Sequence, residues 1–263
     1  RSREITHIAY GQGRVERVAS NRRVARDEQG HVQAMRGSRC ENAELIALPE
    51  GLIDPWLRTV AFFAKDEKIA ACHYYATHPM SYYGRGEVSS DFVGLARERR
   101  QRDDFSVKQI YVSGCSGDVT AGKFNDGSPD SRVAQTDRMY AAMVAAWDAT
   151  QRKPLTELTF HNAKLSLPFY SHAAVSEDHL TAQLNNADLK TEQRILAAMG
   201  LASRQRVKKR QPIDLGCLDL GVAQVVLFPG EAFVGYQLMA QQMRPESFVL
   251  SIGYGECWPG YIP

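Results

Sequence analysis

Apolar positions along the chain fall into short runs separated by polar turns, and their spacing predicts alternating strands and helices. Residues 5–10 read as a short strand, followed by a polar stretch over 21–30. Two apolar runs, 57–64 and 69–76, are joined by Lys65-Asp66-Glu67-Lys68, the pattern of an antiparallel hairpin. The second run leads directly into Thr77-His78-Pro79. A helix is predicted over 91–102, then a strand over 108–112 that enters the Gly-rich segment 113–125. Residues 132–151 read as the clearest amphipathic helix, with Val133, Met139, Tyr140, Met143 and Trp147 mostly at helical spacing. Another helix is expected over 176–199, with Glu177 and Asp178 in its first turn and Gly200 as its stop. Strands over 213–220 and 223–228 follow. A helix then opens at Pro229-Gly230-Glu231 and runs to Met243, before a last strand over 247–253. This interspersion predicts a layered α/β fold, a mixed sheet with flanking helices. No Pro/Gly/Ser linker divides the chain, so residues 1–263 are expected to form one domain.

Composition changes this picture little. Hydrophobic residues make up 44% and charged residues 24%, enough apolar material for the core of a globular enzyme. Thirty-two Lys plus Arg stand against 30 Asp plus Glu, a balance too even to imply nucleic acid binding. The basic stretch 204–210 (RQRVKKR) reads as a solvated loop or strand edge, or as an attractor of phosphate or an acidic membrane surface. No run approaches the roughly 18 consecutive apolar residues of a membrane span, and Arg1-Ser2-Arg3-Glu4 carries no signal-peptide pattern. The five cysteines (Cys40, Cys72, Cys115, Cys217, Cys257) form no CxxC pair. A dense disulfide framework or zinc knuckle is therefore not expected, while a single bridge stays open.

Candidate chemistry gathers where apolar strands end. Thr77-His78-Pro79, Gly114-Cys115-Ser116-Gly117-Asp118-Val119-Thr120 and Pro229-Gly230-Glu231 each place polar side chains at such a point, where α/β folds assemble their sites. Histidine and carboxylate suit a catalytic zinc, which holds three protein ligands and one water. Cys115 with His78 offers a rival, a cysteine hydrolase. His73 and His78 are an odd number of residues apart, so they do not share a strand face. The Gly-rich segment lacks the P-loop pattern, and Asn125-Asp126-Gly127 reads as a turn because the later ligands of a calcium loop are missing.

Taken in order, the segments resemble the neutral/alkaline ceramidase family over most of the chain. Asn21-Arg22 is similar to that family's Asn-Arg-Ser. Asp54-Pro55 and Tyr75-Ala76-Thr77-His78-Pro79-Met80-Ser81 resemble the stretch that carries a zinc-binding histidine, and Ser90-Asp91-Phe92-Val93-Gly94 matches the Ser-Asp-x-x-Gly after it. Gly117-Asp118-Val119-Thr120 is similar to Gly-Asp-Val-Ser-Pro, and Pro229-Gly230-Glu231 to the segment of the zinc-binding glutamate. Residues 253–262 (GYGECWPGYI) resemble the segment that ends in the zinc-binding tyrosine. The resemblance implies a ceramidase-like catalytic domain with His78, Glu231 and Tyr261 as zinc ligands. Arg22 would orient a substrate carbonyl or carboxylate, Asp91 would orient a ligand or cap a helix, and Thr120 would offer a hydroxyl. It further implies amide hydrolysis by metal-activated water, on ceramide, another N-acyl lipid or a small amide. The implied setting is a secreted, periplasmic or membrane-surface enzyme with peripheral membrane contact.

Two departures stand out. Only His7 precedes Asn21-Arg22, nothing around it resembles the family's upstream His-x-His motif, and the family continues past the position of Pro263, so the resemblance implies a chain cut at both ends. Thr120-Ala121 stands where the family has Ser-Pro, which crowds the hydroxyl with a methyl. Both leave an alternative: a ceramidase-like domain that binds a ligand or partner without turnover.

Overall fold

Alternation along the first strands sets the layers. In the computed structural model, which describes residues 2–256 and 260–263, Ile8 and Ala9 of the first strand face opposite sides, as do Val60 and Ala61 of its neighbour. In chain order the elements begin with β1 (His7–Arg14), the short strands β2 (Ser20–Asn21), β3 (Ala25–Arg26) and β4 (Val32–Ala34), and α1 (Ala43–Ala47). Next come β5 (Trp56–Ala64), β6 (Glu67–Tyr75), α2 (Asp91–Asp103), β7 (Lys108–Ser113), β8 (Val119–Thr120) and α3 (Pro129–Asp148). β9 (Gln151–Pro154), β10 (Thr159–Leu165), α4 (Glu177–Asn185), α5 (Thr191–Lys208) and β11 (Ile213–Asp219) follow. The chain closes with β12 (Ala223–Leu227), β13 (Glu231–Ala232), α6 (Val234–Met243), β14 (Phe248–Ile252) and β15 (Tyr261–Ile262).

Five strands form one sheet in the order β7-β6-β5-β1-β9, antiparallel except for the parallel pair β6 and β7. Four form a second, β10-β11-β12-β14, in which β12 and β14 run parallel. Ile8, Val60 and Tyr74 of the first sheet pack against Ala223, Val225 and Leu250 of the second. The opposite face of the first sheet carries Leu57 and Tyr75, which meet Phe92, Met139 and Met143 of α2 and α3, and Ala61 and Ala71, which pack with Trp147 of α3. The result is a helix–sheet–sheet stack, the layered mixed α/β architecture expected.

Glycine decides how closely α3 approaches. A Cβ at Gly11 would stand 2.5 Å from the carbonyl oxygen of Ala146, and one at Gly13 would strike that of Ala142. Both residues therefore belong inside a strand, and β1 extends to Arg14 instead of stopping at residue 10.

Three other elements depart from expectation. The helix anticipated over 176–199 is two helices, α4 and α5. Asn186 accepts Asp188 N–H at 2.9 Å in a local turn, and Gln193 accepts Lys190 N–H at 3.1 Å to open the second helix. Gly200 lies inside α5, against Leu180 of α4, so it serves close helix packing and not termination. Of the basic stretch 204–210, residues 204–208 form the C-terminal end of α5, where the dipole favours cations.

Candidate active site

Parallel pairing brings four strand ends to one place. His78 follows β6, residues 114–118 follow β7, Glu231 follows β12 and Tyr254 follows β14. The ends are joined by main-chain hydrogen bonds: Gly114 N to Tyr75 O at 2.9 Å, Gly253 N to Ser113 O at 2.9 Å, and Gly117 N to Ala232 O at 3.0 Å. The joint between the two sheets is thus also the floor of the site.

His78 is buried, and its Nδ1 lies 3.0 Å from the carbonyl oxygen of Val119. A carbonyl only accepts, so Nδ1 carries the proton. That leaves Nε2 facing Glu231 Oε2 at 3.0 Å. A lone pair and a carboxylate oxygen so close repel unless a proton or a cation lies between them. Two donors on one tetrahedral zinc stand about 3.3 Å apart at ordinary zinc–ligand distances, so the pair fits such an ion in chemistry and in spacing. The carbonyl that fixes the tautomer is the usual outer partner of a metal-binding imidazole.

Glu231 does not lie at a helix start. It belongs to β13, paired with Tyr261 of β15, and α6 begins at Val234. The helix N-terminus is instead held by Asp118, whose Oδ1 accepts Val234 N–H at 2.8 Å. Asp118 Oδ2 accepts Asn21 Nδ2 at 2.7 Å, and its carbonyl accepts Arg22 N–H at 2.7 Å. One buried carboxylate therefore fixes the Asn21-Arg22 segment and the entry of α6 together. Gly117 is required beside it, because a Cβ there would strike the carbonyl oxygen of Glu231.

Arg22 Nη1 donates to Tyr261 Oη at 3.2 Å and to Gly117 O at 3.5 Å. Tyr254, which spacing alone did not single out, stands edge-on to the His78 ring, with centroids 6.1 Å apart. Its hydroxyl pairs with Ser116 Oγ at 2.8 Å and its φ of +63° is rare for an aromatic residue. Burial pushes its pKa up to about 12, with Glu231 adding to the shift, so the phenol keeps its proton. Residues 257–259 of the resembling segment, Cys257 among them, lie outside the described residues.

Thr120 and Asp91 stand behind this front. Thr120 is fully buried, and its hydroxyl donates to Ser38 Oγ at 3.0 Å; Ser38 lines the cavity and Thr120 does not. Asp91 accepts Ser81 N–H at 2.8 Å and the Ser81 hydroxyl, and so anchors the loop that leaves His78. Ser90, not Asp91, occupies the N-cap position of α2. Cys115 is buried and its thiol is pushed up to about 12, by burial first and then by the Asp118 charge. Such a thiol is a poor nucleophile, which removes the basis of the cysteine reading.

A cavity of about 890 Å³ opens over His78, Glu231, Arg22, Tyr254 and Tyr261. Among the described residues, no three His, Cys, Asp or Glu side chains converge in a metal-binding group. Zinc would rest on His78 and Glu231 with the phenol of Tyr261.

No family model matches the sequence, and no curated protein matches it. Solved structures do. A ceramidase complexed with C2 superposes with a TM-score of 0.64 at 16% identity, over 98% of this chain and 48% of that one. Neutral ceramidase from Pseudomonas aeruginosa gives a TM-score of 0.62 at 16% identity, over 98% of this chain and 46% of that one. The chain has the fold of neutral ceramidase. It spans about half the length of the ceramidase chains it matches. At this identity the likeness is one of fold. Among the described residues, no helix is long and apolar enough to cross a membrane.

Proposed function

We propose that this chain is a zinc-dependent amidohydrolase that cleaves an N-acyl lipid or another small amide, with His78, Glu231 and Tyr261 as the metal ligands. One observation carries the reading: His78 Nε2 and Glu231 Oε2, brought from different sheets, meet at 3.0 Å with the histidine tautomer fixed for metal binding. The fold shared with a ceramidase complexed with C2 supports an amide as substrate.

When bound, zinc supplies Lewis acidity, polarising a carbonyl and lowering the pKa of a water to about 7. The protein's own groups do the rest. Val119 O keeps the imidazole oriented, and Asp91 holds the following loop through Ser81. Arg22 binds the substrate carbonyl or a carboxylate from one side of the cavity. Tyr254, protonated at neutral pH, offers an O–H to negative charge developing on the amide oxygen. Thr120 acts through Ser38, the hydroxyl that faces the cavity.

A second reading, a ceramidase-like domain that binds without turnover, is favoured by the short set of strong ligands. Elemental analysis separates the two. About one zinc per wild-type chain, falling at least ten-fold in His78→Ala and Glu231→Ala, is expected for the enzyme. Unchanged zinc in both variants would overturn the ligand assignment, and no zinc in the wild type would favour the binding domain.

A further inference from the structure

Building on the amidohydrolase reading, we propose that the substrate is a compact amide bearing a carboxylate, recognised by Arg22, and not a long-chain lipid. The argument begins with the three arginines that line the cavity. Arg36 is fully buried and its guanidinium nitrogens donate to the carbonyls of Asn21, Leu45, Leu48, Pro49 and Glu50. Arg39 pairs with Glu41. Arg22 is different. Its hydrogen bonds go to a phenol and a carbonyl, and among the described residues no carboxylate lies within 4.0 Å of it. Its Nε is buried without a partner, as is that of Arg36, but Arg36 commits its terminal nitrogens to five carbonyls. With two contacts at 3.2 and 3.5 Å and no carboxylate beside it, this guanidinium has donors to spare, and a carboxylate fills that place with two parallel hydrogen bonds.

The residue is also held in advance. Arg22 N–H donates to Asp118 O at 2.7 Å, and the adjoining Asn21 side chain donates to Leu52 O at 3.1 Å and Asp118 Oδ2 at 2.7 Å. Little ordering remains when a ligand binds.

Size follows from the walls. Among the described residues, the apolar lining is Met35, Met80 and three tyrosines, with no Leu, Ile, Val or Phe. Met35 and Tyr83 are 58% and 71% exposed and stand at the mouth. A long acyl chain needs an enclosed aliphatic wall to leave water, and this cavity offers charge where that wall would be.

N-Acetylglycine, its neutral analogue N-acetylglycinamide and N-palmitoylglycine are the probes, titrated calorimetrically into the purified protein. The acid is expected to bind at least ten-fold more tightly than the amide, and Arg22→Gln to abolish that preference while Arg22→Lys restores part of it. Far-UV circular dichroism and the melting temperature confirm that the variants fold, and the acid–amide ratio on wild type stands even if they do not. Equal binding of acid and amide, no binding of either, or a preference unchanged in Arg22→Gln would overturn the anion site. Binding of N-palmitoylglycine ten-fold or more above N-acetylglycine would overturn the compact substrate. Release of the acyl group as acetate or palmitate, followed in the same samples, keeps the two readings apart. Acid-selective binding without hydrolysis sinks the hydrolase and leaves the anion site, whereas hydrolysis indifferent to the carboxylate and to Arg22→Gln does the reverse.

Discussion

His73 stands on the helix-facing side of β6, with Nε2 donating to Gln109 Oε1 and Nδ1 accepting from Thr59, each at 2.8 Å. Burial lowers its pKa from 6.5 to about 4. The unfolded chain therefore takes up this proton first. Stability from the neutral ring is complete above pH 6.5 and is lost as pH falls toward 4, by up to about 3 kcal/mol. Melting temperatures across pH 4–7 should fall more steeply in wild type than in His73→Gln; parallel curves would refute the assignment. At this scale the meeting of His78 and Glu231 was legible. His78 and Glu231 were readable because a polar side chain closing an apolar run stands out, and His73 separated from His78 by strand parity. Tyr254 was not, because its place depends on a positive φ and on a turn that no periodicity records. The depth of Thr120 was not legible: the resemblance implied a hydroxyl there, and packing puts Ser38 in front of it.

Among the elements, the short ones position the chemistry. β2 pairs with β8 and β13 with β15, two residues each, and they set Arg22 and Glu231 beside the cavity. Asp118 ties these pieces to α6. Asp118→Asn retains one acceptor and sets an amide N–H against the other donor, so urea unfolding should show a loss of about 2 kcal/mol. A change below about 0.5 kcal/mol would mean that the junction does not depend on this carboxylate. The long apolar strands and α3 could be read from pattern, since each buries a face. β10 could not: nearly all of its residues are exposed, and it exists because β11 pairs with it. The break between α4 and α5 was hidden for a similar reason. Two adjacent helices give one continuous helical pattern, and the Asn186 turn that separates them is a local hydrogen bond, not a change in hydrophobicity.

For the molecule as a whole, the two sheets share one apolar layer, from Ile8 and Val60 to Val225 and Leu250. Arg58 crosses it to donate to Val249 O at 2.6 Å. We expect residues 1–263 to unfold as one unit, with coincident transitions by far-UV circular dichroism and tryptophan fluorescence; separated midpoints would divide the chain into two domains. The layered class was readable from the interspersed strands and helices. That the strands divide between two stacked sheets was not, because pairing across long separations in sequence leaves no local mark. The stacking has a consequence for endurance. His78 hangs from one layer and Glu231 from the other, so their 3.0 Å separation gauges how well the layers stay seated. A slip of an ångström between the sheets, far short of melting, would part the pair. Heat should silence this protein while its backbone is still intact, and an ion gripped by both residues would act as a rivet that delays the moment.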